Sequence, residues 1–238
     1  MRTVAGGSRR YVDRLLAPLK AAGRVRLDDP VTEVRRHGDH VLVRTASGEV
    51  DRFDQVVFAT HSDQALAMLC DASDEERTLL GAIRYLPNDV VLHRDAALMP
   101  RRRKVWSSWN YLRDTGADAR RPVSVTYWMN RLQGIDPARP LFVTLNPVSE
   151  PDPAMIFGRW TFDHPQFDRA AIDAQRRLPA MQGTRRTWFC GAWTGYGFHE
   201  DGLVSGLAVA EALGGVVPWR TPAIPADVDV PVLAEAAE

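Results

Sequence analysis

The chain has 238 residues, of which 45% are hydrophobic and 25% are charged. This composition is ordinary for a soluble globular protein, and the length suffices for one large domain or two small ones. Thirty basic residues balance thirty acidic ones, so no net charge favours nucleic acid or a cationic protein as a partner.

Cysteine content and hydropathy limit the cellular compartments in which the protein is expected. Cys70 and Cys190 lie far apart and in no metal-ligand spacing, which fits a reducing compartment and predicts no disulfide framework and no metal site. No apolar run is long enough to span a membrane, and the stretch "MRTVAGGSRRYV" lacks the apolar core of a signal peptide. The sequence therefore predicts a cytoplasmic protein that does not cross a membrane.

The pattern of the first part of the chain predicts a helix followed by short strands. Ser8 precedes apolar residues at helical spacing, and Gly23 ends that pattern. The period then changes to two, which predicts strands at 24–27, 31–37, 40–45 and 49–53. The run "DQVVFAT" at 54–60 does not alternate and is typical of a strand covered on both faces in a parallel sheet. A helix is predicted at 62–69.

The middle of the chain has a different character. After a helix that begins at Asp74, the pattern predicts strands joined by polar loops, at 89–94, 105–112, 123–130, 141–146 and 155–162. This is typical of a largely antiparallel sheet with one covered face. Tryptophans at 106, 109, 128 and 160 fall on these strands, and one or two of them are candidates for the wall of a substrate pocket.

The last part of the chain returns to an α/β pattern. A helix at 168–181 leads to a buried strand at 187–190 and a helix at 201–213, and residues 216–238 read as a disordered tail. The two ends therefore predict one interrupted domain, residues 1–70 and 184–215. A second unit, residues 71–183, is inserted between its parts.

The stretch "TWFCGAWTGYGFHEDGLVSGLAVAEALGG", residues 187–215, holds seven of the chain's 17 glycines. A strand, a glycine loop and a helix in this order present backbone N–H groups and a positive helix end to an anion. A second interpretation is a tight turn, with Gly206 serving helix packing. The near-fingerprint "GYGFHE" lacks a third glycine, and no complete G-x-G-x-x-G occurs in the chain.

Three segments carry a resemblance to a known family: "FCGAWTGYGFHEDGLVSGLAVAEALG", "FDHPQFDRAAIDAQRRLPAMQGTRRTW" and "FDQVVFATHSDQALAML". Together they resemble the C-terminal half of bacterial FAD-dependent, flavin-containing amine-oxidase-like oxidoreductases. The resemblance implies an α/β fold (α+β overall), in which an antiparallel substrate domain interrupts a partial, Rossmann-like FAD-binding domain. It also implies FAD as the cofactor.

The same resemblance implies where FAD would lie. The backbone of Val31 would meet the adenine. Gly191, Ala192 and Trp193 would lie along the pyrophosphate and the ribityl chain. Many relatives carry Gly-Glu where this chain has Gly191-Ala192, so Ala192 departs from the wider pattern.

Four more residues are implied at the flavin ring. His199 and Glu200 fall where a backbone N–H meets the flavin pyrimidine, and Gly202 and Leu203 form the first helical turn beneath it. A helix N-terminus there would stabilise the negative charge of a reduced flavin. With Asp201, the histidine and glutamate also suit proton transfer, although helix capping explains the acidic residues equally well.

Of two further histidines, the first allows two interpretations and the second allows one. His61 follows "VVFAT" and is either a neighbour of the nucleotide or the start of the next helix. His164 precedes Pro165 and reads as a loop residue with a local hydrogen bond. No catalytic residue is assigned from the sequence.

The family's N-terminal segment, with its first strand and its G-x-G-x-x-G loop, has no counterpart in the chain. The chain is therefore expected to be a truncated product, a subunit that needs a missing N-terminal half or partner chain, or a wrongly started reading frame. Two functions stay open. One is an FAD-dependent oxidoreductase, or part of one, that oxidises a small or lipid-like substrate by hydride transfer. The other is a non-catalytic remnant that holds no flavin alone.

Overall fold

The computed structural model describes residues 4–112, 123–217 and 219. In chain order, the helices and strands of these residues are α1 (Arg9–Ala21), β1 (Val31–Arg36), β2 (Val41–Thr45), β3 (Val50–Phe53), β4 (Val56–Phe58), α2 (Ser62–Met68), α3 (Asp74–Gly81), β5 (Arg84–His93), β6 (Trp109–Leu112), β7 (Ser124–Trp128), α4 (Met129–Gln133), β8 (Phe142–Leu145), β9 (Ile156–Gln166), α5 (Arg169–Met181), β10 (Thr187–Phe189) and α6 (His199–Ala212).

The described strands form three sheets. Strands β1, β2 and β3 make an antiparallel meander. Strands β4 and β10 make a two-stranded parallel sheet. The middle of the chain forms an antiparallel five-stranded sheet in the order β6-β7-β8-β5-β9. The mixed α/β class and the antiparallel middle sheet predicted from the sequence are therefore confirmed.

The parallel pair joins the two ends of the chain. Thr187 pairs with Val56 and Phe189 pairs with Phe58, and the two phenylalanine rings stack with centroids 5.6 Å apart. Both rings are buried, but Val57 is exposed, so the described residues do not cover both faces of β4 as its non-alternating run predicted. The expected association of these two strands is confirmed, and it brings the stretch after β10 beside the end of β4.

One core surrounds this parallel pair. Val34 and Val41 reach it from the meander, and Trp193 reaches it from the loop after β10. Helices α2, α3 and α5 supply most of the rest, through Ala65, Leu69, Leu79, Leu80, Ala171, Ala174, Leu178 and Met181. Helices from the middle of the chain therefore pack on the same core as the strands from its ends.

Two predicted strands differ in the structure. Residues 24–27 form no strand, because Asp28 turns the backbone into the left-handed region at φ 59° and Arg26 instead pairs with Asp51 through its side chain at 2.6 Å. The predicted strand at 105–112 is shorter, since only Trp109–Leu112 pairs with β7.

Two other predictions in the middle unit are wrong in detail. Met129 and Asn130 leave the sheet and begin α4, which ends at Gly134 in the left-handed conformation. The Asn130 amide donates to the carbonyls of Asp136 and Arg139, so this side chain organises the turn. His164 lies in β9, opposite Leu86 of β5, and not in a loop.

The predicted disordered tail falls almost wholly outside the described residues. Of its range 216–238, the structure describes Val216, Val217 and Trp219. Val217 is buried, whereas Val216 and Trp219 are exposed.

A buried ion-pair network fastens the meander to the helices and to β10. The Arg36 side chain is inaccessible to solvent and pairs with Glu76, whose side chain is 3% exposed, and with Asp71. Arg36 also contacts the Thr187 hydroxyl at 3.4 Å. Burial alone would raise the pKa of Glu76, but hydrogen bonds from Arg36 and Ser73 outweigh it and hold that pKa below its ordinary value.

We expect Glu76→Ala to lower the free energy of unfolding by about 3 kcal/mol, because a buried guanidinium loses one of its two carboxylates. Glu75→Ala is the matched control. Its exposed partner Arg177 lies 3.1 Å away, and an exposed pair contributes about 0–1 kcal/mol. Urea unfolding followed by circular dichroism measures both. Equal losses in the two variants would contradict the role given to the buried network.

The covered face of the five-stranded sheet buries polar side chains beside the apolar Val91 and Phe142. His93 is fully buried and its Nδ1 accepts from the Asp95 amide at 3.2 Å. The proton therefore sits on Nε2, which donates to the Thr144 hydroxyl at 2.7 Å. Thr144 in turn lies 2.9 Å from the Thr126 hydroxyl. This chain of hydrogen bonds satisfies the polar groups that the sheet buries.

Burial lowers the pKa of His93 below its ordinary value of 6.5, so the folded state binds its proton less readily than the unfolded state. The unfolded chain takes up that proton first as the pH falls. Stability should therefore decline below about pH 6.5. We expect His93→Gln to flatten this decline and His37→Gln, at an exposed histidine, to leave it unchanged. Urea unfolding over a pH series measures the slopes, and an unaltered slope in His93→Gln would refute the assignment.

Candidate functional site

The glycine loop leaves β10 through a backbone conformation that only glycine adopts easily. Gly191 has φ 144°, and a Cβ there would lie 2.9 Å from the Trp193 indole. The Gly191 amide donates to the Ser205 hydroxyl at 3.0 Å, which fixes the loop to α6. A 3-10 turn, Ala192–Thr194, follows, and its first amides have no partner within the turn.

Asp201 shapes the second half of the loop. Its carboxylate accepts from the amides of Tyr196 and Phe198 at 3.1 and 2.9 Å. Gly195 passes so close that any side chain there would overlap this carboxylate. The capping interpretation of Asp201 is therefore confirmed: it closes the turn that begins α6.

Trp193 ties the loop to the end of β4. Its side chain is 4% exposed, and Nε1 donates to the Thr60 carbonyl at 3.0 Å. Gln175 of α5 holds the other side, because its amide donates to the carbonyls of Trp193 and Gly195 at 2.8 and 2.6 Å. The loop is thus clamped between β4 and α5.

A cleft of about 560 Å³ opens where the loop meets the end of β4. Its walls come from three parts of the chain. The glycine loop contributes Gly191, Ala192, Trp193 and Gly197, the segment after β4 contributes Ala59, Thr60, His61 and Gln64, and the sheet contributes Tyr85, Phe162, Asp163, His164 and Pro165. These residues are separated in sequence and meet only because β4 and β10 pair.

A second, apolar groove of about 590 Å³ adjoins the cleft. It contains Val31 and shares Ala59, Thr60 and Gln64 with the cleft. The two openings therefore lie side by side, with Val31 in one and Gly191 in the other, and together we call them the trough.

The cleft holds several groups that can exchange or hold protons. The His61 ring stacks on Tyr85 with centroids 4.3 Å apart, and the Tyr85 hydroxyl accepts from the Ser62 amide at 3.0 Å. Burial raises the pKa of Tyr85, so this phenol stays protonated at neutral pH. His164 Nδ1 lies 3.2 Å from the Phe162 carbonyl, which leaves Nε2 for other contacts.

The sequence-predicted cofactor residues divide into two groups. Val31, Gly191, Ala192 and Trp193 line the trough. The four predicted residues of α6 lie at its start and do not line the trough: His199 and Glu200 are exposed, Leu203 is 49% exposed, and Gly202 packs on Ala192. A Cβ at Gly202 would come 3.5 Å from the Ala192 amide nitrogen, an ordinary van der Waals distance, so the helix packs directly on the loop at this position.

Sequence reasoning missed Thr60, Gln64 and Tyr85 in this site. The segment "ATHSDQAL" follows a buried strand directly, and the carboxyl ends of parallel strands are where ligands bind in α/β folds. That signal could have found Thr60 and Gln64. His61, left open between two interpretations, begins α2 and also lines the cleft.

The described residues show neither a metal centre nor a membrane-spanning helix. No group of three or more His, Cys, Asp or Glu side chains within them is arranged to hold a metal ion. None of their helices combines the length and the apolar character that crossing a bilayer requires. Cys70 and Cys190 are both free thiols.

Solved structures of an isomerase and an oxidase share this fold. A fatty acid isomerase from P. acnes, described as CLA-producing, is 16% identical with a TM-score of 0.55, and the match covers 85% of this chain and 56% of that one. A putrescine oxidase triple mutant with redesigned cofactor binding is 12% identical with a TM-score of 0.58, covering 88% and 53%. A single mutant of the same enzyme is 11% identical with a TM-score of 0.60, covering 87% and 52%. The chain thus spans about half the length of these structures.

A search of curated proteins found no match. The family model for flavin-containing amine oxidoreductases matches residues 1–137, a range that includes β4 and the segment after it but ends before the glycine loop. FAD, the cofactor implied by the resemblance, agrees with this description. Since the match covers more than half of the chain, the protein belongs to the flavin-containing amine oxidoreductase family.

Proposed function

We propose that the protein serves FAD-dependent oxidation of a small or lipid-like substrate, with FAD extended along the trough between Val31 and Gly191. The wall that the two openings share, at Ala59, Thr60 and Gln64, carries this proposal. In it, residues 1–70 and 184–215 form the Rossmann-like cofactor unit, and residues 71–183 form the substrate unit, whose helices α3 and α5 pack on the core of the cofactor unit. The cytoplasm is the proposed location, since both cysteines are unpaired thiols.

The residues of the trough suit a dinucleotide. The apolar groove around Val31 offers a surface for the adenine ring. At the other end, Gly191 leaves the backbone open, and the first amides of the 3-10 turn at Ala192 and Trp193 suit an anion such as pyrophosphate. The start of α6 packs on that turn through Gly202, so the positive end of a 14-residue helix lies beside it.

The start of α6 is the proposed contact for the flavin pyrimidine. There the backbone of His199 and Glu200 would donate to the ring oxygen, with Gly202 and Leu203 below. These four residues do not line the trough, so the proposal assigns the role to their backbone alone. When bound, FAD would accept a hydride from the substrate. His61, Tyr85 and His164 would bind and orient the substrate and hold protons at the cleft.

A second proposal concerns the site that would hold the FAD phosphates, here called the phosphate cradle. The described residues form it only in part. Strand β4 pairs with β10 along one edge, and within the described residues no strand pairs along its other edge. Val57 of β4 is 42% exposed, although parallel sheets are normally covered on both faces. We therefore propose that a further strand, from an N-terminal half or a partner chain, completes the sheet and the phosphate cradle, and that the chain alone holds flavin weakly.

The first test is titration of FAD into the soluble 238-residue protein, followed by flavin fluorescence. A few hydrogen bonds to the pyrophosphate, at about 1.5–3 kcal/mol each, barely exceed the cost of ordering a long dinucleotide. We expect a dissociation constant well above the micromolar range. Stoichiometric submicromolar binding by the chain alone would rule out the need for a further strand.

The second test compares two glycines. Gly191 and Gly183 both have positive φ, and at both a Cβ would lie 2.9 Å from a tryptophan ring. We expect Gly191→Ala and Gly183→Ala to cost similar folding stability, whereas only Gly191→Ala should weaken FAD binding, by about tenfold or more. Leu203→Val should bind as the parent does, because only the backbone is used there.

Thermal unfolding of the same variants separates folding from binding. If Gly191→Ala and Gly183→Ala bind FAD equally, the glycine loop is a turn and not a cofactor site.

A further inference from the structure

The five-stranded sheet turns an apolar face outward. Residues that pair directly in an antiparallel register project from the same face. One row of such pairs crosses all five strands: Tyr111, Val125, Leu145, Val90 and Trp160. The next row is Trp109, Tyr127, Val143, Leu92 and Gly158. Neither row contains a charged residue, and with Phe162 and Leu86 we call this surface the aromatic face.

The large aromatic side chains of the aromatic face are exposed, although Val90 at its centre is buried, while the opposite face is covered. Trp109 is 44% exposed, Tyr111 69%, Trp160 48% and Phe162 51%. On the other face His93, Thr126 and Thr144 are fully buried. Soluble proteins rarely leave a contiguous apolar patch of this kind without a ligand or partner for it.

The Trp160 ring lies flat on the aromatic face. Gly158 occupies the neighbouring position of β9, and any Cβ there would overlap the Trp160 indole. The ring therefore lies back over the glycine, along its own strand, and does not project outward. A flat ring beside a missing side chain offers a smooth apolar surface.

The aromatic face continues into the cleft. Phe162 and His164 project from the same side of β9, since they pair with Asn88 and Leu86, and both line the cleft beside Gly191. A molecule that lies on the aromatic face therefore has one end at the proposed cofactor site. The five strands span four inter-strand spacings, or roughly 19 Å, which accommodates an extended long acyl chain.

We propose that the aromatic face binds the substrate as an elongated, uncharged hydrocarbon chain, such as a long acyl group, whose reacting end enters the cleft at Phe162 and His164. The orientation of the reacting end rests on the proposed function, whereas the binding of the hydrocarbon to the aromatic face does not. Continuity with the cleft favours a substrate chain over a polypeptide segment as the occupant, and the absence of charge from both rows excludes recognition of an ionic group there.

The test uses the 238-residue protein and cis-parinaric acid, a fluorescent fatty acid. Trp109→Ser and Trp160→Ser should each weaken binding about tenfold, which corresponds to about 1.4 kcal/mol. Gly158→Val should have a similar effect, because it displaces the Trp160 ring while leaving the indole in the protein. Trp219→Ser is the matched control, since Trp219 is 65% exposed but lies outside the sheet, and it should bind as the parent does.

Competition experiments test whether the aromatic face recognises the hydrocarbon part of the ligand without its charged group. A long-chain alcohol should displace the probe as well as the corresponding acid, because no charged group of the face meets the ligand. The proposal is overturned if the three face variants bind the probe unchanged, if Trp219→Ser weakens binding equally, or if the acid alone competes.

FAD titration of the same variants keeps the two proposals apart. Loss of probe binding with FAD affinity unchanged supports the aromatic face alone. Probe binding that persists in the face variants, in protein that takes up FAD, overturns the aromatic face and leaves the cofactor site intact. A parent protein that binds the probe at the aromatic face but takes up FAD neither alone nor with a chain that carries the missing G-x-G-x-x-G segment fails the proposed function and not this inference.

Discussion

The structure depends on the parallel pairing of β4 with β10, which closes the chain on itself across the whole middle unit. The buried guanidinium of Arg36 secures that pairing from the side. It joins the meander, through β1, to Glu76 at the start of α3, and it reaches the Thr187 hydroxyl in β10. A desolvated charge is tolerable only while its carboxylate partners stay in place, so this network fixes the relative position of three elements.

Once those elements are fixed, the glycine loop has little freedom. Its first glycine bonds Ser205, Trp193 bonds the carbonyl after β4, and Gln175 bonds two loop carbonyls. These contacts hold the loop against the segment that follows β4. The trough exists because the ends of two parallel strands carry these loops side by side. The glycines permit the close approach, and the tryptophan and glutamine make it rigid.

The five-stranded sheet buries polar groups on its covered face. A histidine and two threonines there satisfy one another beside the apolar Val91 and Phe142, and the open face holds the large aromatic side chains. A polar face can be buried at little cost when every group finds a partner. An apolar face left open is unfavourable unless something binds it. Which face of this sheet is open beside the cleft therefore matters more for function than the order of its strands.

The sequence by itself determined the classes of most elements, because periodicity and capping residues are local signals. It identified β4 and β10 as strands, placed Asp168 at the start of α5, and led to the family through three short segments, one of them rich in glycine. It could not determine that residues 24–27 lack a strand partner, that Met129 begins a helix, or which face of the middle sheet is covered, since alternation is the same on both faces. Nor could it bring Thr60, Tyr85 and Gly191 to one cleft. Those features depend on contacts between residues distant in sequence, and only the tertiary structure decides them.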